Sequence, residues 1–504
     1  MMRSLYSGVS GLRVHQTRMD VIGNNIANVN TVGFKRSSTL FSDILYQTSS
    51  PATGPNDSMG VAGINAMQIG LGANLAAITT NITGTGGSQR TDQWSDLMIE
   101  GDSFFVVNNN GTNYFTKAGS FNVDANGNLC TPSGALVMGW QVSETDPSQC
   151  TSGQVSALRV MSPEKMFSEP EATTNVTVSG NIDANDTQLQ PDAEGRTANV
   201  QFYDNLGNLI TVMLNIKRAA DDEGDATEGT TPYAVRVTGV VDEKGNSIFT
   251  EEVTNDDGTK EMVLKEDFQN FYFNGTQITV SQDEETGELV FGEDDEAEAF
   301  LYFNSVTGRF VNATMDTALE GDQETTTNPF LTFSLGPEAG NENTPYGRVD
   351  IDFSSLTMFA QSGTTTLESA RGTKESATEG AGKPVGNMTG LSIDKFGKIY
   401  GTYDNGDQLL LGQIVVATFA NPAGLESVGN NMFATTQNSG TFDGVGKNIL
   451  STGGKFNTGV LEMSNVDLAN EFTDMIITQR GFQANSRIIT TSDTLLEELI
   501  NLKR

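Results

Sequence analysis

Residues equipped for chemistry are few in this 504-residue chain. His15 is the only histidine, and a single imidazole excludes a multi-histidine zinc site. It falls on an amphipathic stretch, off the apolar side, and reads as an exposed helix position rather than a general base. Cys130 and Cys150 lack the C-x-x-C spacing of a metal or redox pair. Two cysteines are too few for a disulfide framework; free thiols and a single disulfide both stay open. Asp124-Ala-Asn-Gly-Asn128 has part of a calcium loop, but the further carboxylates and distal Glu are missing, so a hairpin turn is expected. Gly84-Thr-Gly-Gly87 lacks the lysine and following helix of a phosphate cradle, and reads as a turn. No G-x-S-x-G elbow is present. Acidic pairs abound in the middle of the chain, so a glycosidase-type dyad stays open, but the loops around them are poor in aromatics. The expectation is a non-enzyme with no catalytic residue, cofactor or metal.

Charge narrows the partners. With 29 basic and 64 acidic residues the formal net charge is −35. Nucleic acid and anionic membrane need clustered Lys and Arg and are excluded. The charge is concentrated: Glu171 to Asp352 holds 37 acidic and 9 basic residues, a net of −28. The middle therefore carries the solubilising charge, and the near-neutral ends are free to associate. The first residues hold no continuous apolar block, and no window reaches the ~18 apolar residues of a membrane span. Export without a cleaved signal peptide is expected, and membrane insertion is not.

The elements that organise the chain lie at its two ends. From Asn465 to Arg504 the pattern predicts one helix, about 55 Å long at ~1.5 Å per residue. Leu461, Leu468, Met475, Phe482, Ile489 and Leu496 recur every seven residues, and Phe472, Ile476, Ile488, Leu495, Leu499 and Ile500 widen the line. That is coiled-coil spacing, and such a seam needs a partner. Ser464 or Asn465 is the expected N-cap. At the other terminus Leu5, Leu12, Met19 and Ile26 are also seven apart, with Val9, Ile22 and Val29 beside them. Each end could instead be an ordinary amphipathic helix on a globular core. The paired reading is preferred because little helical signal lies between them.

Between the helices the pattern is β. Asn24, Asn25, Asn28 and Asn30 end the first helix, with Gly33 in the turn. A Ser/Thr/Gly/Asn-rich stretch to about Arg90 is expected to be extended or irregular, with a breaker cluster at Ser50 to Asp57. Short strands follow from Leu97 and Phe104-Phe-Val-Val107. A turn form with Asp, then Gly, then an apolar residue recurs at Asp124, Asp204, Asp242, Asp394 and Asp404. Alternating runs between Thr174 and Ala360 mark a separate β block. Acidic loops interrupt it at Asp221–Asp225, Asp283–Glu288 and Glu293–Glu298. Gln361 to Pro384 reads as a linker or return path. The expected architecture is multidomain, mainly β, with discontinuous nested domains. Residues 1–30 and 461–504 form an antiparallel coiled-coil core, and 31–90 an extended connector. Residues 91–173 and 361–460 form a middle β domain, and 174–360 an inserted acidic outer β domain.

Several of these stretches resemble a known family. Ser7-Gly-Val-Ser-Gly-Leu12, Met19 to Thr31 and Gly33-Phe34-Lys35 are similar to the opening signature of bacterial flagellar axial proteins, which include rod, hook and hook-associated proteins. Ser464 to Leu468, Glu471-Phe472 and Gln479-Arg480-Gly-Phe-Gln-Ala-Asn485-Ser486 resemble the closing helix of that family. Leu97 to Val107 and Leu411 to Leu425 look like strands shared by its rod and hook members. The resemblance covers roughly the first 140 and last 115 residues. It implies a hook subunit, exported unfolded by the flagellar type III apparatus and stacked into a flexible tube that joins rod to filament. It further implies contacts with itself, the distal rod protein, the hook cap and the hook–filament junction proteins, outside the cell. Some hook proteins join subunits through a Cys–Lys cross-link, which adds a third state for Cys130. The assembly seam implied is Leu5, Leu12, Met19, Ile22, Ile26, Leu468, Phe472, Met475, Phe482, Ile489, Leu496 and Leu499. A distal rod protein shares both end motifs but normally lacks a large insert; an axial protein carrying an adhesin or enzyme as its insert is the other alternative.

Overall fold

The computed structural model describes residues 2–55, 60, 62–143, 146–219, 229–254, 260–265, 269–283, 288–292, 298–315, 328–335 and 347–502. Asn56-Asp57 of the breaker cluster, most of the acidic loops (221–225, 284–287 and 293–297) and Lys503-Arg504 lie outside the described residues. The chain forms two compact units. One comprises 1–166, 388–402 and 408–504, the other 167–387 and 403–407.

The first unit holds two helices, α1 (Met2–Ala27) and α2 (Leu468–Asn501), and a mainly antiparallel sheet. In spatial order its strands include Lys398–Tyr403, Gln408–Ile414, Leu136–Gln141, Phe104–Asn109, Thr112–Thr116, Met432–Ala434 and Glu426–Gly429. The uninterrupted apolar run Phe104-Phe-Val-Val107 has a simple cause. Successive strand side chains point to opposite faces, and both faces are covered. Phe105 and Val107 pack with Phe121, Leu129 and Phe456. Phe104 and Val106 pack with Phe115, Trp140 and Val415. All four residues are fully buried, each worth roughly 1.5–3 kcal/mol relative to exposure.

The connector is more regular than its composition predicts. Ser37–Asp43 pairs antiparallel with Ala73–Thr80, and Tyr46–Ser50 with Met67–Gly70. Most side chains of both ladders are exposed. No buried face imposes an alternating pattern on the sequence, so only backbone pairing and hydroxyl contacts such as Ser38–Thr79 (3.1 Å) mark the strands.

The second unit is a β-sandwich. One sheet contains Asn270–Phe273, Phe330–Leu335, Arg348–Thr357 and Asn175–Asn181; the other runs from Arg196–Tyr203 to Phe310–Thr314. Their inner faces share one apolar core that includes Val200, Val212, Phe271, Phe333 and Ile351. Gln361 to Pro384 is not simply a return path. Thr366–Arg371 is a strand paired with Asn175–Asn181. The Asp183 carboxylate orders its approach by accepting N–H bonds from Gln361 (3.1 Å), Gly363 (2.6 Å) and Thr364 (3.2 Å).

The recurrent turn has one construction at four of its five positions. Asp124, Asp204, Asp242 and Asp394 each use Oδ1 to accept the N–H groups two and four residues on. The glycine at the third position takes a positive φ of 80–84°, which an L side chain adopts only with strain. Asp404 departs from the form: its Oδ1 accepts the N–H of Asn387.

Candidate assembly surface

α1 and α2 lie side by side and antiparallel. Ser4 is beside Ser492 (Oγ–Oγ 3.5 Å), Arg18 beside Asp474 (3.0 Å) and Asn25 beside Glu471 (3.1 Å). The side of α2 turned to α1 combines part of the apolar line, Met475, Ile489 and Leu496, with a polar line beside it. The polar line is Glu471, Thr478, Asn485 and Ser492, which are themselves spaced by seven. Glu471, Thr478 and Ser492 are the buried residues of α2. Glycines let the helices approach. A Cβ at Gly11 would stand 2.6 Å from Asn485 Nδ2, one at Gly481 2.7 Å from the His15 ring, and one at Gly8 3.2 Å from Ile489 Cγ1. His15 is therefore half-buried at the crossing rather than exposed. Burial, and then the Arg18 charge, lower its pKa, and its Nδ1 has no partner among the described residues.

The helix ends are tied together below this seam. The N-cap of α2 is Asp467, which accepts from Ala469 and Asn470. Neither expected cap, Ser464 or Asn465, serves: Ser464 Oγ accepts from Val466 N (3.3 Å), and Asn465 Oδ1 accepts from Arg36 N (2.7 Å) while its Nδ2 donates to Asn81 O and Gly84 O. Asn25 links three segments. Its amide donates to Ser37 O and Glu471 Oε2 and accepts from Ser37 N. Arg36 donates from Nε to the other Glu471 oxygen. Gly33 has φ +70°, and a Cβ there would sit 2.8 Å from Ala118 N, so turn and close approach both demand glycine. Lys35 then enters the interior and donates to Glu462 Oε1 (2.7 Å) and Gly84 O (2.8 Å). Both side chains of that pair are 1% exposed. Gly86 N donates to the same Glu462 oxygen (3.0 Å).

The residues singled out by sequence divide accordingly. Leu5, Leu12, Met19 and Ile26 of α1 are half-buried and Ile22 is buried; on α2, Met475, Ile489 and Leu496 are half-buried. Leu468, Phe472, Phe482 and Leu499 are exposed, Phe472 by 50%. Leu468, Phe472 and Phe482, with Ile476, leave α2 an open apolar side, so the heptad seam is closed against α1 only in part. Of the motif residues, Asn25, Gly33, Phe34 and Asn485 meet at the helix pair and its base. Asn28 closes the end of α1 by donating to Asn24 O and accepting from Thr31. Asn24, Asn30, Gln479 and Arg480 face solvent. Sequence reasoning passed over Glu462, quoted Lys35, Glu471 and Asn485 only as motif residues, and did not single out the line from Glu471 to Ser492. The seven-residue spacing of the latter was present but carried by polar residues. The two cysteines are free thiols.

Three family models match the chain: "Flagella basal body rod protein" at 5–35, "Flagellar hook protein FlgE/F/G D1 domain" at 98–184 and "Flagellar basal body rod FlgEFG protein C-terminal" at 457–502. Flagellar hook protein FlgE of Borreliella burgdorferi is 35% identical over 513 residues, covering 100% of both chains. That of Treponema pallidum is 34% identical over 524 residues with the same coverage. That of Salmonella typhimurium is 27% identical over 517 residues, covering 99% of this chain and 100% of its own.

Proposed function

The chain belongs to the flagellar hook protein family, and on that footing we propose that the open side of α2 is the surface through which subunits build the hook. The family is structural, not enzymatic, and its members form a homopolymer within the flagellum. No helix among the described residues is long and apolar enough to cross a membrane.

The observation that carries the reading is the exposed line Leu468, Phe472, Ile476 and Phe482 on a helix whose other side is already paired. Monomeric proteins rarely leave so continuous an apolar surface open. In a tube the helix pair becomes part of an inner coiled coil, with neighbouring copies covering Phe472 and Phe482. A contact between unlike surfaces that does not close on itself yields a helical polymer. Like charge on the acidic sandwich keeps the sandwiches of neighbouring copies from adhering. The chain leaves the cell through the flagellar type III apparatus. At its ends the tube meets the distal rod protein, the cap and the junction proteins. The rod alternative is disfavoured by full-length similarity to hook proteins of matching extent.

Phe472→Asp tests the reading. The purified monomer is expected to keep its circular dichroism and unfolding midpoint, because the ring touches solvent. Cells carrying only this variant are expected to lack hooks by electron microscopy while retaining rods. Hooks of normal number and length would refute the assignment of this surface.

A further inference from the structure

The two units differ in how the chain supplies them. Apart from the turn 403–407, the sandwich unit is one continuous stretch, 167–387. Its apolar core is drawn from Val176 to Met358, and the strands of its two sheets lie between Asn175 and Arg371. The ends of the stretch are joined to each other. Glu171 N donates to Lys383 O (3.0 Å) and Lys383 N to Glu171 O (2.7 Å), and Ser168 stands opposite Gly386.

The first unit has no such continuity. Leu136–Gln141, Phe104–Asn109 and Thr112–Thr116 form the centre of its sheet, and strands from beyond residue 388 flank them on both sides. Gln408–Ile414 pairs with Leu136–Gln141, and Met432–Ala434 with Thr112–Thr116. The packing is equally mixed. Phe105 stacks on Phe456 (ring centroids 5.7 Å), and Phe104 meets Phe419 and Phe433 edge-on. Lys35 finds its buried carboxylate at Glu462, and a buried charge without its partner strongly opposes folding. Without 388–504, the central strands keep two open edges and lose cover on both faces.

We infer that the sandwich folds first and by itself, and that its joined ends then bring the two halves of the first unit together, to fold as one. Across an unfolded stretch of ~220 residues the halves must close a long loop. Across the paired ends the link is short, which favours their meeting by on the order of a hundredfold. The helix pair, and with it the open side of α2, is therefore completed late, and only by a chain that has its C-terminal part. The inference concerns the single chain and holds whether or not α2 is the assembly surface.

Pulse-labelling hydrogen exchange on the full chain refolding from urea, read by mass spectrometry, tests it. Strands between 175 and 357 are expected to gain protection in an early phase. Those at 97–160 and 393–461 are expected to follow later, at one common rate. Protection of either half before the sandwich, different rates for the two halves, or a single rate for all three would overturn the inference. Phe456→Ala gives a second measurement on the native full chain. Exchange is expected to quicken in both halves alike, on the order of a hundredfold or more, and to stay unchanged in the sandwich. That contrast is readable even where the first unit no longer forms. A sandwich that loses protection, or halves that respond unequally, would refute the separate folding of the two units.

Discussion

Replacing Lys35 by methionine isolates the interaction that holds the base of the helix pair. Lys35 and Glu462 are separated by 427 residues, and each side chain is 1% exposed at an N–O distance of 2.7 Å. Methionine fills much of the lysine volume but leaves the carboxylate with Gly86 N–H alone; its second oxygen has no partner among the described residues. Breaking a buried pair from one side costs about 3–5 kcal/mol, whereas removing both charges together is often near neutral. Lys35→Met should therefore lose ~3–4 kcal/mol, and Lys35→Met/Glu462→Leu should lose less than Lys35→Met alone. The residual loss in the double variant comes from Gly86 N–H, left unpaired at roughly 1–3 kcal/mol, while Gly84 C=O keeps the Asn465 amide. Urea unfolding of the monomer reads this directly, because Trp94 and Trp140 both belong to the unit that contains the pair. For a slope near ~3 kcal/mol per molar, the single variant should lower the midpoint by about 1 M. A fall below about 0.3 M would refute the argument. A double variant as unstable as the sum of the two single variants would do so too, since the residues would then act independently.

Two further outcomes follow from the same unit. Lys117 is buried, donates to Gly101 O (2.6 Å) and has its pKa pushed down to about 8, first by burial and then by the Lys35 charge. Its charged form opposes folding in full below pH 8, and the opposition fades between pH 8 and the unfolded value of 10.5. Relative to Lys117→Met, the native chain should gain up to ~3 kcal/mol from pH 7.5 to 10 in urea titrations, and parallel curves would count against a buried ammonium. Gly11→Val should force α1 from α2, because even its Cβ would stand 2.6–2.9 Å from the Asn485 side chain. The expected cost is about 1–3 kcal/mol, with partial recovery on adding Asn485→Ala; spin-label distances between the helices that do not change would contradict the close approach.

Much of this organisation was legible because apolar periodicity is a direct image of burial. Phe104 to Val107 announces a strand covered on both sides, and the Asp–Gly turns announce themselves through residues that alone tolerate the geometry. The helices were equally visible, but the meaning of their stripes was not. Heptad reasoning assumes that the apolar line meets the nearest helix. Here Gly8, Gly11 and Gly481 let the backbones approach, so that Thr478, Asn485 and Ser492 share the seam with Met475, Ile489 and Leu496, while Leu468, Phe472 and Phe482 turn outward. Nothing in their spacing distinguishes a covered apolar line from an open one. The connector ladders were obscured for the opposite reason: with both faces wet, Leu40, Ile44 and Tyr46 follow no alternation. Glu462 was invisible because its partner lies at the far end of the chain, and a lone Glu in a strand usually faces water.

The polar seam has a consequence for how growth is controlled. A helix pair joined by glycine contacts and a few hydrogen bonds gains little from water release when it forms, so most of that gain is deferred until neighbours enclose it. Two free chains that collide cover only a fraction of the open side and fall apart. A chain arriving at an existing end is covered on several sides at once. On the proposed assembly, elongation proceeds at concentrations where spontaneous initiation is negligible, and the number of tubes is set by the number of starting platforms, not by how much subunit is made.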